Sequence, residues 1–158
     1  LKNFESTRRL IAQHGSNTSK LINKITGVTY NAIIQNSMNI TAVKFDFNDL
    51  GGRFTFIKDG VQNHIDFAFN ENKFIKFSFG ERAKADMMGV NVLGKYDCLS
   101  SAGFIEENTL AIKVQVVDTY FGKLQITANF NNDEVNVFFQ KHGQYVFDGI
   151  GGYVTAKK

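Results

Sequence analysis

The sequence predicts an all-β domain, an antiparallel up-and-down meander of about 8–10 strands that closes into a β-barrel, with a short helix at the N-terminus. Three observations predict it. Apolar and polar residues alternate with a period of two from Thr26 onward, the alternating runs are separated by turn-forming residues, and the composition is that of strands around a wide apolar interior. Sixteen phenylalanines and 14 glycines stand beside no tryptophan and no proline. One residue type therefore dominates the core, each buried phenylalanine contributing roughly 1.5–3 kcal/mol before conformational entropy is subtracted.

The first 24 residues differ from the rest. Leu10, Ile11, Leu21, Ile22 and Ile25 follow no period of two, and Gly15-Ser16-Asn17 interrupts them. The expectation is a short helix from about Phe4 to His14, with residues 1–24 as a linker leading into a barrel domain over residues 25–158.

Each later run reads as a strand with one face buried and the other in water. Val43, Phe45 and Phe47 oppose Lys44 and Asp46; Phe54 and Phe56 oppose Arg53 and Thr55; Ile65, Phe67 and Phe69 oppose His64, Asp66 and Ala68; Ile75, Phe77 and Phe79 oppose Lys76 and Ser78. Further on, Leu110, Ile112, Val114 and Val116 share a face, as do Leu124, Ile126, Ala128 and Phe130, and then Val135, Val137 and Phe139. Lys58-Asp59-Gly60 is a strong hairpin signal, because Asp-Gly tolerates the positive φ of a type I′ turn. Asn70-Glu71-Asn72 and Asn131-Asn132-Asp133 serve the same purpose less specifically. Such a meander must curl and close to protect its edges. Glu81–Asn91 has no alternation and reads as a connector across one barrel end, with a lid as the functional alternative.

Several function classes are disfavoured. The formal charge of +3 is spread among acidic residues, so the basic footprint of a nucleic-acid binder is missing. No apolar run reaches the ~18 residues of a membrane-spanning helix. Cys98 is the one cysteine and has no partner for an internal disulfide. Gly-x-Ser-x-Gly, P-loop, His-Glu-x-x-His and paired Cys-x-x-Cys motifs are absent, and His14, His64 and His142 are far apart, so no catalytic, cofactor-binding or metal residues are expected. His64 and Asp66 lie two apart on one strand face and suit a metal by spacing, but that face is the wet one. Glu106 and Glu107 precede Asn108 in a turn and read as solvated. The interior is either filled by side chains or holds one small ligand; close packing is the simpler expectation.

The stretch from Gly94-Lys95-Tyr96 through Ala102-Gly103-Phe104-Ile105-Glu106-Glu107-Asn108-Thr109-Leu110, Asp118-Thr119-Tyr120-Phe121 and Phe130-Asn131-Asn132-Asp133-Glu134-Val135 resembles the C-terminal domain of β-lactamase-related, penicillin-binding-protein-like serine hydrolases. Gly27-Val28-Thr29-Tyr30 and Lys44-Phe45-Asp46-Phe47 are similar to that domain's opening strands. The resemblance implies a lipocalin-like barrel attached to a catalytic domain of the same polypeptide, exported and working at the bacterial cell envelope or secreted. The catalytic Ser-x-x-Lys and Tyr-x-Asn motifs are missing here, and Lys141-His142-Gly143 only superficially matches a Lys-Thr-Gly triad. The leading expectation is thus a non-catalytic accessory domain that packs on or modulates a β-lactamase-like or D-alanyl-peptidase-like hydrolase, without cofactor. The alternative is a stand-alone lipocalin-like module for an apolar ligand. Tyr96, Tyr120 and Tyr145 are candidate outward contacts for cell-wall sugar or peptide, with core or edge packing as the simpler expectation for all three.

Overall fold

The structure, a computed structural model, describes residues 10–78, 95–118, 122–143, 147 and 149–158. Within these, ten strands follow one another: β1 Thr29–Ala32, β2 Ile40–Asn48, β3 Gly51–Lys58, β4 Val61–Phe69, β5 Lys73–Ser78, β6 Lys95–Glu106, β7 Thr109–Val116, β8 Lys123–Asn131, β9 Glu134–His142 and β10 Gly152–Lys157. Each expected alternating run is a strand here, as far as it is described; Phe79, at the end of the β5 run, lies outside the described residues. β2 and β3 are in register from Val43↔Phe56 to Asn48↔Gly51, and β8 and β9 from Lys123↔His142 to Asn131↔Glu134. The turns follow the side chains that tolerate them. Asp59 and Gly60 take φ of 50° and 76° between β3 and β4, and Asn132 takes φ 53° between β8 and β9.

The sheet closes on itself in two ways. The first and last strands pair antiparallel, Asn31↔Lys157 and Ala32↔Ala156. On the opposite side β6 offers one edge to two partners: Lys95–Ser100 pair with β5, while Ser101 and Ala102 pair in parallel with Ala68 and Phe69 of β4. The result is a closed barrel of nine strands, with β5 filling the space beside β6. Among the described residues β5 has a strand partner on one side only, and β4 meets β6 only at its last two residues.

The inward face holds the core. Val43, Phe45, Phe54, Phe56, Ile65, Phe67, Leu110, Ile112, Val114, Leu124, Ile126, Val135, Val137 and Phe139 are all buried. Phe147 and Ile150, between β9 and β10, join them. Outward neighbours make surface ion pairs, as in Lys44–Asp46 at 3.1 Å.

The expected N-terminal helix is not found in its described part, Leu10–His14, which is extended. The physical reason is that its backbone groups are bonded to the barrel instead of to each other. Gln13 N donates to Ser101 Oγ and Gly15 N to Asn70 Oδ1, each at 2.8 Å. Lys113 Nζ and Asn72 Nδ2 donate to the carbonyls of Ile11 and Leu10. Ser16 and Phe104 exchange two backbone bonds of 2.8 Å. Residues 10–20 therefore form a strap over β6 and β7, where a free linker was expected, and Ser101, Gly103 and Ala111 on the outer face are buried. The closest approach is backbone to backbone: a Cβ on Gly103 would stand 2.6 Å from Gly15 N. A single helical turn, α1 (Ile22–Ile25), follows, with Ile25 in the core and Leu21 and Ile22 packed against it. Residues 4–9, and the Glu81–Asn91 connector, lie outside the described residues.

Candidate functional site

The barrel interior is the one place where the fold gathers a distinctive chemistry. It is bridged by aromatic rings from strands that are not neighbours. Phe45 of β2 meets Phe130 of β8 edge-on, with ring centroids 5.1 Å apart. Phe139 of β9 lies 5.9 Å from Phe54 and 6.0 Å from Phe56, both on β3. Towards β4 and β6, Phe47 contacts Phe67, Phe69 and Phe104 at 5.8–6.3 Å. Tilted and edge-on pairs at these distances are favourable beyond their area burial. The phenylalanine-rich lumen is thus crossed by its own side chains.

Polar groups in the interior are few. Ser100 Oγ donates to the carbonyl of Asp66, joining β6 to β4. Cys98 Sγ sits 3.6 Å from the Tyr96 carbonyl, and burial, helped by Asp97, pushes its thiol up to about 12. Such a thiol stays protonated at neutral pH and is a poor nucleophile. Thr109 is buried on the outer face instead, where its Oγ1 is hydrogen-bonded by Asn129 Nδ2 at 2.9 Å.

Tyr30 is different. It is fully buried on β1, between exposed Thr29 and Asn31, and its hydroxyl has no hydrogen-bond partner among the described residues. Asn31 and Glu134 both pair with Lys157, so Tyr30 stands level with the β8–β9 turn at one end of the barrel. Its ring lies 6.3 Å from that of Phe130. Burial, with a contribution from the charge of Asp133, holds the phenol above its ordinary pKa, so it is a neutral donor. Leaving such a group unpaired costs about 1–3 kcal/mol. Proteins keep few of these, and their positions are informative.

The residues singled out from sequence fall elsewhere. His14, His64 and His142 are exposed on the outside. Both carboxylate oxygens of Asp66 accept from Arg53, at 2.6 and 3.0 Å, which lowers its pKa and leaves His64 without a second ligand. Among the described residues no three His, Cys, Asp or Glu side chains converge on an ion-sized space. Glu107 anchors the strap instead of lying free, accepting from Lys20 N at 2.8 Å and, through its carbonyl, from Ser19 Oγ at 2.6 Å. Lys141 and His142 end β9, paired with Leu124 and Lys123, and do not form a turn.

Tyr96 follows the core-packing expectation and not the outward one. It shares the inward face of β6 with Cys98, Ala102 and Phe104 and is only 9% exposed, so it is core and offers no outward stacking surface. Tyr120 and Tyr145 lie outside the described residues. An exposed aromatic platform does exist where sequence reading placed none: Phe138 of β9 and Tyr153 of β10 stack at 4.3 Å on the outer face. Cross-strand register, Tyr153↔Phe138, creates it. A groove of about 570 Å³ between the strap and the β6–β7 turn, lined by Ser16, Lys20, Ile105 and Glu107 among others, is open to solvent.

No protein-family model matches the chain, and no curated protein matches it in sequence. Among solved structures, the chain is similar in fold to apo lipid binding protein 8 of Caenorhabditis elegans, with a TM-score of 0.57 and 8% identity over 89% of this chain and 99% of the other. At that identity the likeness is one of fold.

Proposed function

We propose that this chain is a non-catalytic binding module that takes up one apolar small molecule in its barrel. The observation that carries the reading is the lumen itself: nine strands close around an interior of aromatic and aliphatic side chains in which one hydroxyl, Tyr30, has no partner among the described residues. The fold likeness to a protein named for lipid binding supports it. No helix among the described residues is long and apolar enough to cross a membrane. Uptake requires the rings that meet across the lumen to part, with a ligand replacing ring–ring contacts by its own apolar surface. That exchange keeps the interior dry and dense.

A saturable rise in Nile red fluorescence, together with a one-to-one adduct in native mass spectrometry after incubation with apolar extracts, is the expected result. A barrel that takes up neither at any concentration below aggregation would refute the reading.

The rings themselves favour a second reading. With Phe45 on Phe130 and Phe54 on Phe139, the lumen is filled, and a filled barrel acts through its outer surface. This is the accessory-domain reading, in which a β-lactamase-like or D-alanyl-peptidase-like catalytic domain of the same polypeptide, at the cell envelope, is the partner. It rests on the sequence resemblance alone. Absence of uptake combined with a full-length gene encoding a Ser-x-x-Lys domain would favour it.

A further inference from the structure

We propose that the barrel selects apolar molecules whose single polar group is an uncharged oxygen, an alcohol, ester or ketone, and that Tyr30 is the residue that holds this oxygen. The inference rests on the binding reading above and names its ligand class.

Two independent observations point the same way. The first is Tyr30, a fully buried side chain whose hydroxyl finds no partner among the described residues. A phenol donates one hydrogen bond and accepts others, so it matches an alcohol, ester or ketone oxygen without any change of protonation. The second is the charge of the lumen. Among the described residues Ser100 is the buried serine or threonine of the inward face, Ser101 and Thr109 being buried on the outer face, and no lysine, arginine or histidine is buried. A carboxylate brought into this interior would lose its hydration with one neutral donor, and no cation among the described residues, to replace it. Burying an unpaired charge is far more costly than burying a hydrogen-bonded neutral group. The charge felt at the hydroxyl is that of Asp133, which is negative and further disfavours an anion.

The geometry also sets the ligand's direction. Tyr30 stands level with the β8–β9 turn, at one end of the barrel. The oxygen end of the ligand sits there, and its apolar body runs past Phe45 and Phe130 towards Phe54 and Phe139. The hydroxyl of Ser100 is engaged with a protein carbonyl, so among the described residues Tyr30 is the hydroxyl left for the ligand.

The test displaces Nile red, an uncharged probe, with the chain-matched pair dodecan-1-ol and dodecanoate, at about pH 8 where the acid is fully ionised. The alcohol is expected to compete at least about tenfold better than the carboxylate. In Tyr30→Phe the alcohol's affinity is expected to fall about fivefold, one neutral hydrogen bond, while dodecanoate is unchanged. Equal or stronger competition by dodecanoate, or an alcohol affinity that Tyr30→Phe does not alter, overturns the inference and leaves the binding reading standing. Failure of Nile red and both competitors to bind overturns both. The alcohol-to-carboxylate ratio is read on the unaltered protein, so it decides the matter even where the variant folds poorly.

Discussion

Replacing Phe139 by alanine distinguishes a filled lumen from a hollow one. The ring is 1% exposed and is held between Phe54 at 5.9 Å and Phe56 at 6.0 Å. Its strand is paired on both sides, Phe139 with Ile126 of β8 and with Gly152 of β10, so the backbone cannot collapse into the space. In a close-packed interior, Phe→Ala costs about 3–5 kcal/mol, the transfer free energy of the lost ring plus the cavity it leaves. For a domain of this size each kcal/mol moves Tm by about 2–4 °C, which places the expected fall at about 6–20 °C. Differential scanning calorimetry with a urea titration followed by circular dichroism measures it. A loss below about 1 kcal/mol would mean that the ring borders space already empty, and the description of a lumen crossed by its own side chains would be wrong. The same variant has more room for a small apolar guest, so xenon or benzene should raise its Tm by more than that of the parent.

Other consequences follow from particular contacts. Gly103→Ala puts a Cβ 2.6 Å from Gly15 N, so the strap must lift; a loss of about 1–3 kcal/mol and faster amide exchange at Ser16 and Phe104 are expected, and unchanged exchange would show that the strap does not depend on this approach. Cys98 has a folded-state pKa raised from 9.0 to about 12, so its contribution is complete below pH 9 and is lost as pH rises through that window, an amount of about 4 kcal/mol; Cys98→Ala should flatten the alkaline limb of a Tm-versus-pH curve. Asp66 has a lowered pKa through its Arg53 hydrogen bonds, so its contribution is present at neutral pH and is lost as pH falls through the folded-state value; because Arg53 is half exposed, Asp66→Asn should cost no more than about 1 kcal/mol at pH 7 and nothing in strong acid, as paired urea titrations would read. Gly60→Val forces a β-branched residue to a φ of 76° and should destabilise by about 1–2 kcal/mol in the same assay; no change would mean the β3–β4 turn adopts another form.

Alternation along the chain was enough to locate seven of the ten described strands, β2–β5 and β7–β9, and their inward faces, because side-chain direction in a strand repeats every two residues and one face must be dry. It determined that Phe45, Phe54, Phe67, Ile112, Ile126 and Val137 are core, and turn chemistry determined the Asp59-Gly60 hairpin. Tyr96 alternates with Asp97 and shares the inward face of Cys98, in keeping with core packing as its simpler reading. What lies across the barrel has no such local signature. The parallel closure of β4 on β6, the strap that replaced the expected helix, the rings meeting from β2 to β8, and the Tyr30 hydroxyl left unpaired each depend on groups dozens of residues apart arriving at one place. Period and propensity are properties of neighbours in sequence, whereas closure, packing and hydrogen-bond satisfaction are decided only when the sheet has curled.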